Sequence, residues 1–259
     1  MTFFEHLEEL RGVILRSLSA LLLGCVLVGC FFPFFADLLN YPLRVAIGQD
    51  SSTLQGLVTT SPMGIFSVLM QVCFLGGLAI SLPVILFFIA KFISPALTQQ
   101  EMKVLFPACI AVFLLFVIGA SFSYFYIIPA TLSVSIALNK VFGFQLIWSA
   151  PMYYGLVVWM TIGIGLCFEF PLVLLVLIYL RIVSSTTLKK IRKHMIVAVL
   201  ITAGLITPTS DPLSLFALAI PLYILYELAI FVGARYEAKR QKECMRDCNE
   251  LPWPIVKPD

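Results

Sequence analysis

Long stretches without a charged side chain constrain this fold more than any motif does. Ser17 to Ala36, Ile65 to Ala90, Val104 to Asn139 and Met195 to Ser210 contain no Asp, Glu, Lys or Arg. Val141 to Leu180 carries Glu169 alone, and Pro212 to Ala234 carries Glu227 alone. About 20 apolar residues in a helix cross the roughly 30 Å hydrocarbon core of a bilayer, so the pattern predicts six transmembrane helices. Composition agrees, with 61% hydrophobic and 12% charged residues against about 25% charged in soluble proteins. The fifth stretch is short: residues 194–208 rise only about 22 Å as a helix. It must be shielded by neighbours or sit where the bilayer thins.

The cations set the orientation. With a cytoplasmic amino terminus, the inside collects Arg11, Arg16, Lys91, Lys103, Arg181, Lys189, Lys190, Arg192, Lys193, Arg235, Lys239, Arg240, Lys242, Arg246 and Lys257, while Arg44 and Lys140 lie outside. That asymmetry places both termini inside. The net charge of +3 is then a topology signal, and a nucleic-acid partner has no support. The start Met1-Thr2-Phe3-Phe4-Glu5-His6 is acidic where a cleavable leader would be basic, so the first span is expected to remain as an anchor. Residues 1–235 read as one six-span membrane domain and 236–259 as a charged cytoplasmic tail. The outer connections, near 37–64 and 129–151, are long enough to carry structure of their own. Pro33, Pro83, Pro107, Pro129, Pro171 and Pro221 lie in or at the ends of spans, where each favours a bend. An all-α, bent and concave bundle is expected.

The ionisable groups narrow the function. A charge at the depth of Glu169 costs roughly 2.5–3.5 kcal/mol on insertion scales, which marks a polar site inside the membrane. Near the amino terminus, Leu7 and Leu10 face the bilayer together, while Glu5, Glu8 and Glu9 form a carboxylate cluster at the inner interface. Those acids could simply favour the positive end of the first helix dipole. Between spans two and three, Ser94-Pro95 breaks one helix, and Thr98 with Glu101 has the spacing of a capping box that restarts the next. Glu101 is thus either a capping acid or an acceptor for a cationic partner. Asp211, between Pro208 and Pro212, suits a tight outer turn. Glu227 is placed to reach the interface or Arg235. Cys25, Cys30, Cys73, Cys109 and Cys167 read as small apolar residues of the spans. Cys244 and Cys248 have no histidine near them, and His6 with Glu9 offers only two ligands, so no metal site is expected.

These segments, with Phe168-Glu169-Phe170-Pro171, Thr207-Pro208-Thr209-Ser210-Asp211-Pro212 and Ala219 to Glu227, resemble the TatC family, the multispanning receptor of the twin-arginine protein translocase. The likeness runs from about Phe4 to Arg235, with the motifs in family order. It implies recognition of paired arginines in signal peptides and participation in export of folded proteins driven by the proton-motive force, with no enzymatic activity and no cofactor. By resemblance, Glu9 and Glu101 hold the arginine pair, with His6, Leu10, Arg11, Phe92, Pro95 and Leu97 as matching neighbours. Glu169 matches the acid that faces the concavity, and Thr207, Pro208 and Asp211 match a docking surface. The implied partners are TatA/TatB-type single-span membrane subunits, twin-arginine signal peptides, membrane lipid and further copies of the chain. The implied location is the bacterial cytoplasmic (inner) membrane. Val13 departs from a basic residue common in the family, Gly64 stands where a larger side chain is usual, and Leu215 replaces a frequent Gln.

The principal alternative is a proton-coupled secondary transporter using Glu169. Against it, no internal repeat or Gly-interrupted pair of spans is present. An intramembrane enzyme lacks its parts, since His6 and His194 both lie at the inner face and no Ser-His pair falls within the spans.

Overall fold

The computed structural model describes residues 3–47, 57–93, 99–144, 147–179, 183–207 and 212–249. Nine α-helices follow in order among them: α1 Phe3–Cys30, α2 Phe32–Ile47, α3 Gly64–Ile93, α4 Gln99–Phe122, α5 Ile128–Phe142, α6 Ala150–Tyr179, α7 Ser185–Lys190, α8 Arg192–Ile206 and α9 Pro212–Asn249. Five stretches are long and apolar enough to cross a membrane: Leu7–Cys30, Gly64–Phe92, Pro107–Phe142, Ala150–Tyr179 and Ser214–Arg240. The fifth stretch, from Met195, lies in α8, whose 15 residues rise about 22 Å. The apolar surface is turned outward, with Leu23 71%, Val26 65% and Met70 69% exposed. Such a surface requires a lipid or protein cover.

Both expected outer loops contain helices. After a turn at Phe31, the chain re-enters helix as α2, so Asp37 and Arg44 lie on a helix rather than in a loop. Likewise α4 passes into α5 through a π-helical turn, Ser123–Ile127, and helix continues to Phe142. Pro129 in the first turn of α5 has no N–H and would clash with the carbonyl four residues earlier; the widened turn accommodates both defects.

Pro42 poses the same problem within α2, because it cannot donate to the Leu38 carbonyl. The Tyr124 hydroxyl donates there instead, and Tyr153 donates to the adjacent Leu39 carbonyl at 2.6 Å. The hydroxyl thus satisfies a carbonyl that the proline leaves without its helical partner. Tyr124→Phe is therefore expected to destabilise the protein by about 0.5–1.5 kcal/mol and lower its melting temperature by roughly 1–6 °C in a detergent melt.

Small residues set the helix contacts. Gly119 packs on Phe168, and Gly165 on the Phe116 ring, which locks α4 to α6. Gly64 lies against Thr59 and Pro151, where an added Cβ would come within 2.7 and 3.2 Å of their side chains. A larger residue at 64 would need a different junction between α3 and α6, which accounts for the departure at this position. The junction is also held by paired backbone bonds, Val58 N–H to Trp148 and Ala150 N–H to Val58.

The fully buried centre includes Val28, Val72, Val157, Met160 and Ile164. A second apolar cluster, Leu174, Ile178, Leu188, Tyr226 and Ile230, seats α7 against α6 and α9. The starts of α3 and α6 lie together, as Gly64 meets Pro151, and Ile178 near the end of α6 meets Gly233 of α9. One end of the bundle therefore gathers the start of α1, the end of α3, α7, the start of α8 and the later part of α9. We call it the basic end.

Candidate functional site

The contact of α1 on α3 decides which side chains meet at the basic end. A Cβ at Gly24 would lie 2.7 Å from the Gly77 carbonyl oxygen, and one at Gly77 would lie 2.7 Å from the Cys25 amide nitrogen. Main chain thus approaches main chain, which only glycine permits here. Gly29 faces Cys73, so the helices are antiparallel. Extended four turns, this register sets Glu9 across from Phe92.

A cleft of about 550 Å³ opens there, lined by Glu8, Glu9, Gly12, Val13, Arg16, Phe88, Lys91 and Phe92. Glu8 and Glu9 are exposed, while Phe88 and Phe92 are half-buried. Among the described residues the salt bridges are Arg44 with Asp37 and Arg192 with Glu227, so neither cleft carboxylate is committed to a resident cation. Chemically, the cleft offers two acids and two aromatic rings, with the cations Arg16 and Lys91 in the same lining; the carboxylates and ring faces suit a cation with a flat face.

Of the residues nominated from sequence, Glu9 and Phe92 line this cleft. Leu10 and Arg11 are exposed and outside its lining. His6 belongs to the first turns of α1, and Glu101 to the first turn of α4; their side chains lie outside the described residues, as do Pro95 and Leu97. The main chain from Ile93 to Gln99 spans at most about 22 Å, so α4 starts at the same end of the bundle. Sequence reasoning placed Glu8 in the inner carboxylate cluster without assigning it to the site, and did not nominate Gly12, Val13, Arg16, Phe88 or Lys91. Their spacing of three and four residues on two helices was visible, but not which faces met.

Glu169 stands about two-thirds of the way along α6, one turn beyond Gly165 and its contact with Phe116. Both of its carboxyl oxygens are buried without a hydrogen-bond partner among the described residues. Low dielectric disfavours a charge here, so a neutral group of equal size fits. Glu169→Gln is expected to leave the yield of monodisperse protein within roughly two-fold, whereas Glu169→Lys lowers it several-fold. Size-exclusion profiles of the two variants measure this; a Gln variant that aggregates would mark a structural acid.

Thr207 is buried, and its amide and hydroxyl both donate to the Ala203 carbonyl, at 3.0 and 2.9 Å. It closes the last turn of α8. Pro208 and Asp211 lie outside the described residues. Of the two alternatives for Glu227, the interface or Arg235, the ion pair with Arg235 does not form: Glu227 accepts from Arg192 at 2.8 Å and from the Tyr223 hydroxyl at 3.0 Å. Eight residues of one helix separate 227 from 235 by about 12 Å, and the start of α8 lies closer. The Arg235 guanidinium instead sits 4.3 Å over the Phe231 ring.

Long apolar helices exposed on their outer faces, with a charged cleft at one end, define a multi-pass α-helical membrane protein. Comparison with known proteins supplies its family. The family model for the Sec-independent protein translocase protein TatC matches residues 5–221. The chain is 34% identical over 239 residues to the Sec-independent protein translocase protein TatC of Desulforapulum autotrophicum, covering 92% of this chain and 86% of that one. It is 31% identical over 251 residues to the Aquifex aeolicus protein of the same name, covering 95% and 100%. A crystal structure of the twin-arginine translocase receptor TatC in DDM superposes with a TM-score of 0.75 at 31% identity, covering 88% of this chain and 99% of that one. The chain belongs to the TatC family and is a component of a Sec-independent protein translocase. Its role is thus in protein transport, together with other components of that translocase.

Proposed function

We propose that this protein is the signal-peptide receptor of a bacterial twin-arginine translocase and that its α1–α3 cleft holds the arginine pair. The supporting observation is the glycine-fixed register that brings Glu8 and Glu9 beside Phe88 and Phe92. Each guanidinium offers a planar fork that a carboxylate accepts in bidentate fashion, and its face stacks on an aromatic ring. Glu9 takes one arginine and Glu101, carried in by α4, takes the other. Val13 adds no competing cation. A lysine pair keeps the charge but loses the fork and the stacking.

The chain crosses the inner membrane six times, with α8 as a short fifth span and both termini cytoplasmic. The basic end then faces the cytoplasm, as the distribution of cations requires. Residues 236–259 form the cytoplasmic tail. TatA/TatB-type single-span subunits dock on the surface that includes Thr207, Pro208 and Asp211, several copies assemble, and the proton-motive force drives export. Expression in a bacterium lacking its own TatC-type subunit tests the role. Export of a folded reporter bearing a twin-arginine signal is expected; no export despite membrane insertion and the presence of cognate single-span subunits would contradict it.

A further inference from the structure

The corner between α7 and α8 carries a surface that neither the cleft nor Glu169 uses. Lys189 and Lys190 end α7, and Arg192, Lys193 and His194 open α8. Cations suit the end of a helix, but in a first turn they oppose the macrodipole. The residue before α8, Ile191, supplies no side-chain acceptor. Among the described residues the one carboxylate in salt-bridge contact with this group is Glu227. It takes one side of the Arg192 guanidinium, while Arg192 Nε is buried with no partner.

Below the cations lies an apolar stripe. Val197, Ile201 and Leu205 follow Lys193 at steps of four residues, hence on one face, and are 55%, 59% and 74% exposed. A cationic head above an exposed aliphatic stripe has the shape of an amphiphile's complement. The short rise of α8, about 22 Å, also draws the cations toward the hydrocarbon, where headgroups must follow them.

We propose that this corner binds an anionic phospholipid, its phosphate held by Lys189, Lys190, Arg192 and Lys193 and an acyl chain laid along Val197, Ile201 and Leu205. The site takes a lipid anion rather than free phosphate because the stripe needs an apolar cover. Native mass spectrometry of the full chain, released from nanodiscs of equal phosphatidylglycerol and phosphatidylcholine, tests this. The parent chain is expected to retain phosphatidylglycerol in several-fold excess. Each lysine near a membrane surface contributes about five-fold to anionic lipid binding. The triple variant Lys189→Gln, Lys190→Gln, Lys193→Gln keeps the Arg192–Glu227 pair and should bring the two lipids close to parity. Lys140→Gln, at the opposite end, should leave the excess unchanged. Equal retention by the parent overturns the proposal. So does an excess that the triple variant leaves intact, the outcome if a partner helix rather than lipid covers the stripe.

Discussion

Replacing Glu9 and Glu101 together by alanine should weaken binding of a twin-arginine signal peptide by about two to four orders of magnitude. A hydrogen bond to a charged group contributes roughly 1.5–3 kcal/mol, and each 1.4 kcal/mol is about tenfold in affinity. Two such sites lost together give the range. Each single variant should lose about tenfold or more. Because Glu9 is exposed and is held in no salt bridge among the described residues, its removal should leave the melting temperature nearly unchanged. Fluorescence anisotropy with a labelled peptide in detergent measures the loss, and a parallel melt separates it from unfolding. Glu8 serves as an internal comparison: it lines the same cleft, and Glu8→Ala should cost less than Glu9→Ala, whose side chain has the register position opposite Phe92.

Gly77→Leu should have a still broader effect, removing folded protein and peptide binding together. Overpacking a soluble core costs roughly 1–3 kcal/mol when side chains can shift. Here the new Cβ meets the Cys25 backbone nitrogen at 2.7 Å, and main chain cannot shift without parting the helices. Separation of α1 from α3 dismantles the cleft 15 residues away. Gly29→Ala is the matched control, since its Cβ would meet the flexible Cys73 thiol at 3.5 Å. That variant should melt within a few degrees of the parent.

The spans were legible because lipid excludes charge, and a run free of Asp, Glu, Lys and Arg needs no tertiary information to be recognised. The same rule misplaced helix ends. Asp37 lies on α2, so treating a charge as the end of a span turned that helix into a loop, while α5, Ile128–Phe142, occupies much of the connection placed near 129–151 even though its residues up to Asn139 are charge-free. Neither the helix restart after Phe31 nor the π turn before Pro129 follows from charge or hydropathy.

Less of the site was legible, two of the eight residues that line the cleft. Glu9 and Phe92 stood out by motif, yet Arg16, Phe88 and Lys91 join them only through the meeting of Gly24 with Gly77, a long-range contact between two of many glycines. Glu227 lies 35 residues from Arg192, whereas Arg235 was the nearer cation along the chain. Sequence distance favoured the wrong partner because α8 folds back along α9.

Photo-crosslinking addresses the arginine site most directly. A signal peptide carrying a benzophenone beside its two arginines should label Gly12, Phe88 or Phe92, and changing both arginines to lysine should remove most of the adduct. Labelling confined to α2 or α5, at the far end of the bundle, or labelling of the cleft that is indifferent to the lysine change, would contradict recognition of the arginine pair between α1 and α3.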